Sequence, residues 1–128
     1  MAGTLITSTL QGTTLTDGTN STSTTNCIKG SALAWVSFTG STGATLGTYN
    51  VSSVTRVATG RYTVAFTNAL PNTNYSLVLS ADLGTYGGLI FQNQAGYTTT
   101  SINELQSWRN DTSGAFDCTR GYVAVYGY

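Results

Sequence analysis

From residue 32 to residue 81 apolar and polar positions alternate with a period of two. In Arg61-Tyr62-Thr63-Val64-Ala65-Phe66 the side chains of Tyr62, Val64 and Phe66 fall on one side, and those of Arg61, Thr63 and Ala65 on the other. That spacing belongs to a strand with one buried and one solvated face. The runs ALAWVSF, YNVSSVTRV, GRYTVAF and NYSLVLSA are separated by residues 40–43, Thr59-Gly60 and Pro71-Asn72, which carry turn chemistry. The pattern predicts strands over 32–39, 48–57, 61–67, 74–81, 88–92, 102–109 and 120–127. Residues 104–108 also read as a short helix, but Ile102, Glu104, Gln106 and Trp108 fit one face of a strand, and the strand is preferred. Many short strands with turns between them predict an all-β fold, an antiparallel β-sandwich of jelly-roll-like character over residues 27–128. Trp35, Phe38, Tyr62, Phe66 and Tyr75 are expected in its core, with Trp35 as the central anchor.

Residues 1–26 follow another pattern. Half of them are Ser or Thr, and the large aliphatic positions are Leu5, Ile6, Leu10 and Leu15. So little apolar surface does not offset the entropy of ordering the segment alone. It is expected to be an extended arm that gains stability by lying against a neighbouring copy or a larger assembly, with a flexible tail as the alternative. Asp17 and Gly18, within residues 16–20, suit a turn.

Composition narrows the function. Charged residues make up 8% of the chain and the formal net charge is zero, against about 25% charged in an ordinary globular protein. Five scattered basic residues, none adjacent to another, do not make the cationic patch that nucleic-acid binding needs. No apolar run approaches the ~18 residues of a membrane span, so no membrane insertion is expected. Residues 1–6 lack the basic start and apolar core of a secretory signal, which leads us to expect synthesis in a cytoplasm. There, Cys27 and Cys118 are expected to be free thiols more often than a bridge stapling the two ends of the domain. With two cysteines and no histidine, no metal site or other cofactor is expected.

Catalysis has few tools. The absence of histidine excludes Ser-His and Cys-His nucleophile pairs. The carboxylates are Asp17, Asp82, Glu104, Asp111 and Asp117. Asp111 and Asp117 bracket a short loop that could hold Ca²⁺, but turn-forming Asp is the favoured reading. The chain is therefore expected not to be an enzyme. Asn20, Asn50, Asn74 and Asn110 each open an Asn-x-Ser/Thr triplet, as chance allows in a chain this rich in those residues. Tyr86, Tyr97 and Trp108 are the candidate ligand or host contacts, on loops 82–88, 92–98 and 109–117. Rings beside Asn, Gln and Asp suit carbohydrate, although a core or subunit contact is the commoner fate of such rings.

The stretch opening with Ser31-Ala32-Leu33-Ala34-Trp35-Val36-Ser37-Phe38 resembles a module of bacteriophage tail-fibre and related virion proteins. It continues through Tyr49-Asn50-Val51-Ser52-Ser53-Val54, Gly60-Arg61-Tyr62-Thr63-Val64-Ala65-Phe66 and Ala69-Leu70-Pro71-Asn72-Thr73-Asn74-Tyr75. The usual pattern there is A-K-A-W-V-x-F, Y-N-V-S-S-I, G-x-Y-T-V-x-F and P-x-A-N-Y. The likeness is good over residues 11–80 and weak afterwards, apart from the closing Gly121-Tyr122-Val123-Ala124-Val125-Tyr126. It implies a β-sandwich, a homotrimer and residence on a virion, and it brings no catalytic residues. Leu33 stands where Lys is usual, so Leu33 is expected at an interface. The leading expectation is thus a virion structural protein, a homotrimeric fibre-like module fixed to other virion proteins by its arm, with host surface glycans as a candidate ligand. A capsid decoration protein and a free-standing lectin-like module are the alternatives.

Overall fold

In the computed structural model, residues 14–16, 19, 21–23, 27, 30–84, 89–93, 96–109 and 114–127 are described. The chain divides into two units, Met1–Ser31 and Ala32–Tyr128. In the first, β1 (Thr14–Thr16) pairs antiparallel with β2 (Ser21–Ser23), with Thr16 opposite Ser21. This pairing brackets the expected turn, whose Asp17, Gly18 and Asn20 lie outside the described residues. So do Leu5, Ile6, Leu10 and the Leu15 side chain, the positions expected to make the arm adhesive.

The second unit is an antiparallel β-sandwich. One sheet has the order β4-β3-β10-β7, formed by Thr45–Tyr49, Ala34–Thr39, Arg120–Gly127 and Tyr75–Asp82. The other has the order β5-β6-β9-β8, formed by Val51–Ala58, Arg61–Phe66, Ser101–Arg109 and Leu89–Asn93. Hairpins β3–β4, β5–β6 and β8–β9 lie within a sheet, while the other connections pass between sheets. Among the described residues no helix is long and apolar enough to cross a membrane.

The core is filled by the inward halves of the alternating strands: Ala34, Val36 and Phe38 from β3, Tyr62, Val64 and Phe66 from β6, and Val123 and Val125 from β10. Val51, Val54, Leu70, Tyr75, Ile102, Leu105 and Cys118 complete the layer. Phe38 meets Tyr62 edge-on at 5.0 Å between centroids, the arrangement that ring quadrupoles favour. Gly121 is where the Phe38 ring reaches the backbone of β10. A Cβ there would come within 2.4 Å of the ring.

The structure corrects three sequence expectations. Trp35 is not the core anchor: it is 43% exposed, on the outer face of β3. Neighbouring residues of a strand cannot both point inward, and Val36 and Phe38 claim the core. Leu33, expected at an interface, packs partly buried against the sandwich core, and its N–H donates to Val125 O at 2.8 Å. The expected strand 48–57 breaks into β4 and β5 at Asn50, whose φ of 53° turns the chain from one sheet to the other. Finally, Ile102, Glu104, Gln106 and Trp108 do not share one face. The pairing shifts from Val64–Ile102 to Tyr62–Leu105, a bulge at which Glu104 takes φ 55°. Ile102 and Leu105 therefore face the core, while Gln106 and Trp108 take the opposite face.

A polar clasp closes one end of the core. Arg56 donates Nε to both Asp117 oxygens, at 2.9 and 3.0 Å, and Nη2 to Oδ2 at 2.7 Å. The Gly60 N–H and the Tyr62 hydroxyl donate to Oδ1 at 2.7 and 3.1 Å. Burial by itself pushes the Asp117 carboxyl pKa up, but these donors outweigh it and hold it below its ordinary value. Behind them the Cys118 thiol is buried 3.8 Å from the Tyr62 hydroxyl, and burial raises the pKa of both groups. Both cysteines are free. Gly60 makes the clasp possible. It turns at φ 64°, and a Cβ there would meet Phe116 N at 2.5 Å.

Candidate functional site: an aromatic sheet face

The outward halves of β4, β3, β10 and β7 make one continuous surface. Residues directly opposite in an antiparallel sheet point to the same side. Tyr49 lies opposite Trp35, Trp35 opposite Ala124, and Ala124 opposite Val78, which makes one row across all four strands. Gly47, Ser37, Tyr122 and Ser80 make the next row, and Tyr126 lies opposite Ser76 beyond the first. Tyr49 is 57% exposed and Val78 59%, and Tyr122 and Tyr126 are exposed as well. The Trp35 indole reaches over Gly47, where a Cβ would lie 3.4 Å from Cζ3.

Between these rings runs a shallow, almost wholly apolar groove of about 280 Å³, lined by Trp35, Ser37, Val78, Ser80, Tyr122 and Ala124. Charge is confined to one rim, where Arg120 stands opposite Asp82. The rest of the face is rings, small apolar groups and serine hydroxyls. Away from that rim the described face carries no ionised side chain, only tyrosine and serine hydroxyls among its apolar groups. What it can do is pack or stack, because large rings lose water from much area while few side-chain torsions become fixed.

Each of the described carboxylates already holds a partner. Asp82 Oδ1 accepts from Gly84 N at 2.7 Å, Glu104 Oε1 from Arg61 Nη2 at 2.8 Å, and Asp117 from the clasp. Among the described residues no three Cys, Asp or Glu side chains group as a metal site. Asp111, the other half of the expected Ca²⁺ loop, lies outside the described residues. Asn50 belongs to a matching glycosylation triplet, yet its Nδ2 donates to Leu33 O and Asn68 O at 3.1 and 3.3 Å. A glycan on that nitrogen would cost these bonds.

Of the three rings singled out from sequence, Tyr97 and Trp108 stand apart from each other. Tyr97 pairs with Ile102 at the start of β9, and its half-exposed ring meets Tyr75 edge-on at 5.2 Å. Trp108 lies six residues beyond Ile102 along that strand, about 20 Å away at the rise of an extended chain. It is 37% exposed and donates Nε1 to Gln106 Oε1 at 2.8 Å. Tyr86 lies outside the described residues. Sequence reasoning passes over Trp35, Tyr49, Tyr122, Tyr126 and Val78 as a set. The signal is present in the alternation itself: β3 and β10, which place valine or phenylalanine inward, place rings outward between them. No family model matches the chain, and no curated protein or solved structure matches it either.

Proposed function

We propose that this chain is a non-enzymatic structural protein of a bacteriophage particle, a homotrimeric fibre-like β-sandwich displayed on the virion surface and held there through residues 1–26. The observation that carries this reading is the uncharged aromatic face of the β4-β3-β10-β7 sheet. A contiguous surface of this kind is costly to leave in water and is typical of an interface. Copies that meet through it need no charge complementarity, which accords with a chain only 8% charged. The likeness of residues 11–80 to tail-fibre modules supplies the virion and the threefold assembly. The work of such a protein is mechanical: the arm docks, the sheet face joins copies, and the loops point outward.

Immunogold electron microscopy of phage particles with antibody against the chain tests this. Label on tail fibres is expected. Label spread over the head would replace the fibre with a capsid decoration protein, and bare particles would refute a virion role altogether. Deleting residues 1–20 should leave a folded sandwich that no longer joins particles, and normal incorporation of the truncated chain would remove the docking role.

A further inference from the structure

At the corner where β4 passes into β5, beside the edge strand of the aromatic face, lies a second opening. It is a depression of about 310 Å³ lined by Tyr49, Asn50, Thr67 and Asn68, at the small end of the range for ligand clefts. Two loops make it, and hydrogen bonds lock them together. Asn50 Oδ1 accepts from Asn68 N at 2.9 Å and from Asn68 Nδ2 at 3.2 Å, and Thr67 N donates to Asn50 O at 3.2 Å. Asn50 Nδ2 adds the bonds to Asn68 O and Leu33 O. The left-handed backbone of Asn50 is thus fixed from both sides, so little ordering is left to occur when a ligand arrives.

Around this rigid floor the chemistry is mixed in a specific way. Tyr49 is more than half exposed and stands on edge strand β4, outside the Trp35–Tyr122 groove at which copies are proposed to meet. Among the described residues the Thr67 hydroxyl and the Asn68 Oδ1 take no partner, and no charged side chain lines the opening. An apolar ligand would strip water from Thr67 and Asn68 without replacing their hydrogen bonds, and an ionic ligand would find no counter-charge. A sugar ring satisfies both demands. Its C–H face carries slight positive charge that suits the negative face of an aromatic ring, and its hydroxyls both donate to and accept from an amide or a hydroxyl. We propose that the Tyr49–Asn68 corner is a binding subsite for one pyranose ring of a neutral saccharide. This site is distinct from the rings at Tyr97 and Trp108, and it stands whether or not the chain resides on a virion.

Saturation-transfer difference NMR on the full chain tests it, with the methyl glycosides of glucose, mannose, galactose and N-acetylglucosamine as neutral probes and sialyllactose as the charged one. At least one neutral probe should show transfer, with millimolar affinity, as expected for about twelve heavy atoms on a shallow site. Tyr49→Ser should weaken that binding about tenfold or more, and Thr67→Val several-fold. Both positions are exposed, so circular dichroism should show both variants folded. Val57→Ser, exposed on β5 and outside both openings, should bind as the parent does. The proposal is overturned if no neutral probe gives transfer, if sialyllactose alone does, or if folded Tyr49→Ser and Thr67→Val variants bind undiminished.

Discussion

Asp117 shows how much a single side chain can organise in this molecule. It ties the segment leading into β10 to the β5–β6 turn through Arg56, Gly60 and Tyr62. Replacing it by Asn keeps the shape but removes the charge and misplaces donors against donors, so Asp117→Asn should cost about 1–3 kcal/mol, read from denaturant midpoints. The sign of the pH effect follows from the lowered carboxyl pKa. The folded chain holds this proton less tightly than the unfolded chain does. The stabilisation is therefore full above the ordinary carboxylate value of about 3.9 and is lost as pH falls through the lower folded value. Denaturation series at falling pH should show that loss in the parent and not in Asp117→Asn. In the sequence, Asp117 is legible only as a turn residue, because its partners Arg56 and Tyr62 are brought to it by long-range pairing that no local pattern encodes. Trp35 misleads for a different reason. Ring size suggests a core anchor, although its phase in the strand, one residue from Val36, already places it outside.

Whole strands are more legible than their irregularities. β3, β6, β7, β9 and β10 lie close to where alternation predicts them, since a buried face imposes period two on every residue. The two departures both sit at non-glycine residues with positive φ, Asn50 and Glu104. Asn tolerates that conformation comparatively well, so the corner at Asn50 has a local cause that can be recognised afterwards. Glu104 has none, and its bulge is imposed by the need to bring both Ile102 and Leu105 to the core. The consequence can be measured. Glu104→Gly relieves the backbone and gives up a half-exposed ion pair with Arg61 worth at most about 1 kcal/mol, so its stability should stay within about 1 kcal/mol of the parent. Glu104→Val keeps the strain, adds a β-branched side chain and loses the pair, and it should be less stable than Glu104→Gly by about 1–2 kcal/mol. Equal midpoints for the two variants would argue against a strained bulge.

For the molecule as a whole, a low charge, a rigid two-sheet body and a ring-bearing outer face point in one direction. Composition alone makes assembly the leading expectation, but it does not say which surface is used. That depends on register, because a shift of one residue in β3 would exchange Trp35 and Ser37 for Val36 and Phe38. The proposed contact between copies lies on the β4-β3-β10-β7 face, with Trp35 and Tyr122 lining its groove. Sedimentation equilibrium on the full chain tests this most directly, comparing the parent with a Trp35→Ser/Tyr122→Ser double variant whose fold is checked by circular dichroism. Expected are a parent of three times the 13.4 kDa chain mass and a folded double variant at the mass of one chain. A parent that stays at one chain mass over the accessible concentration range, or a double variant that remains trimeric, would contradict the sheet-face assembly.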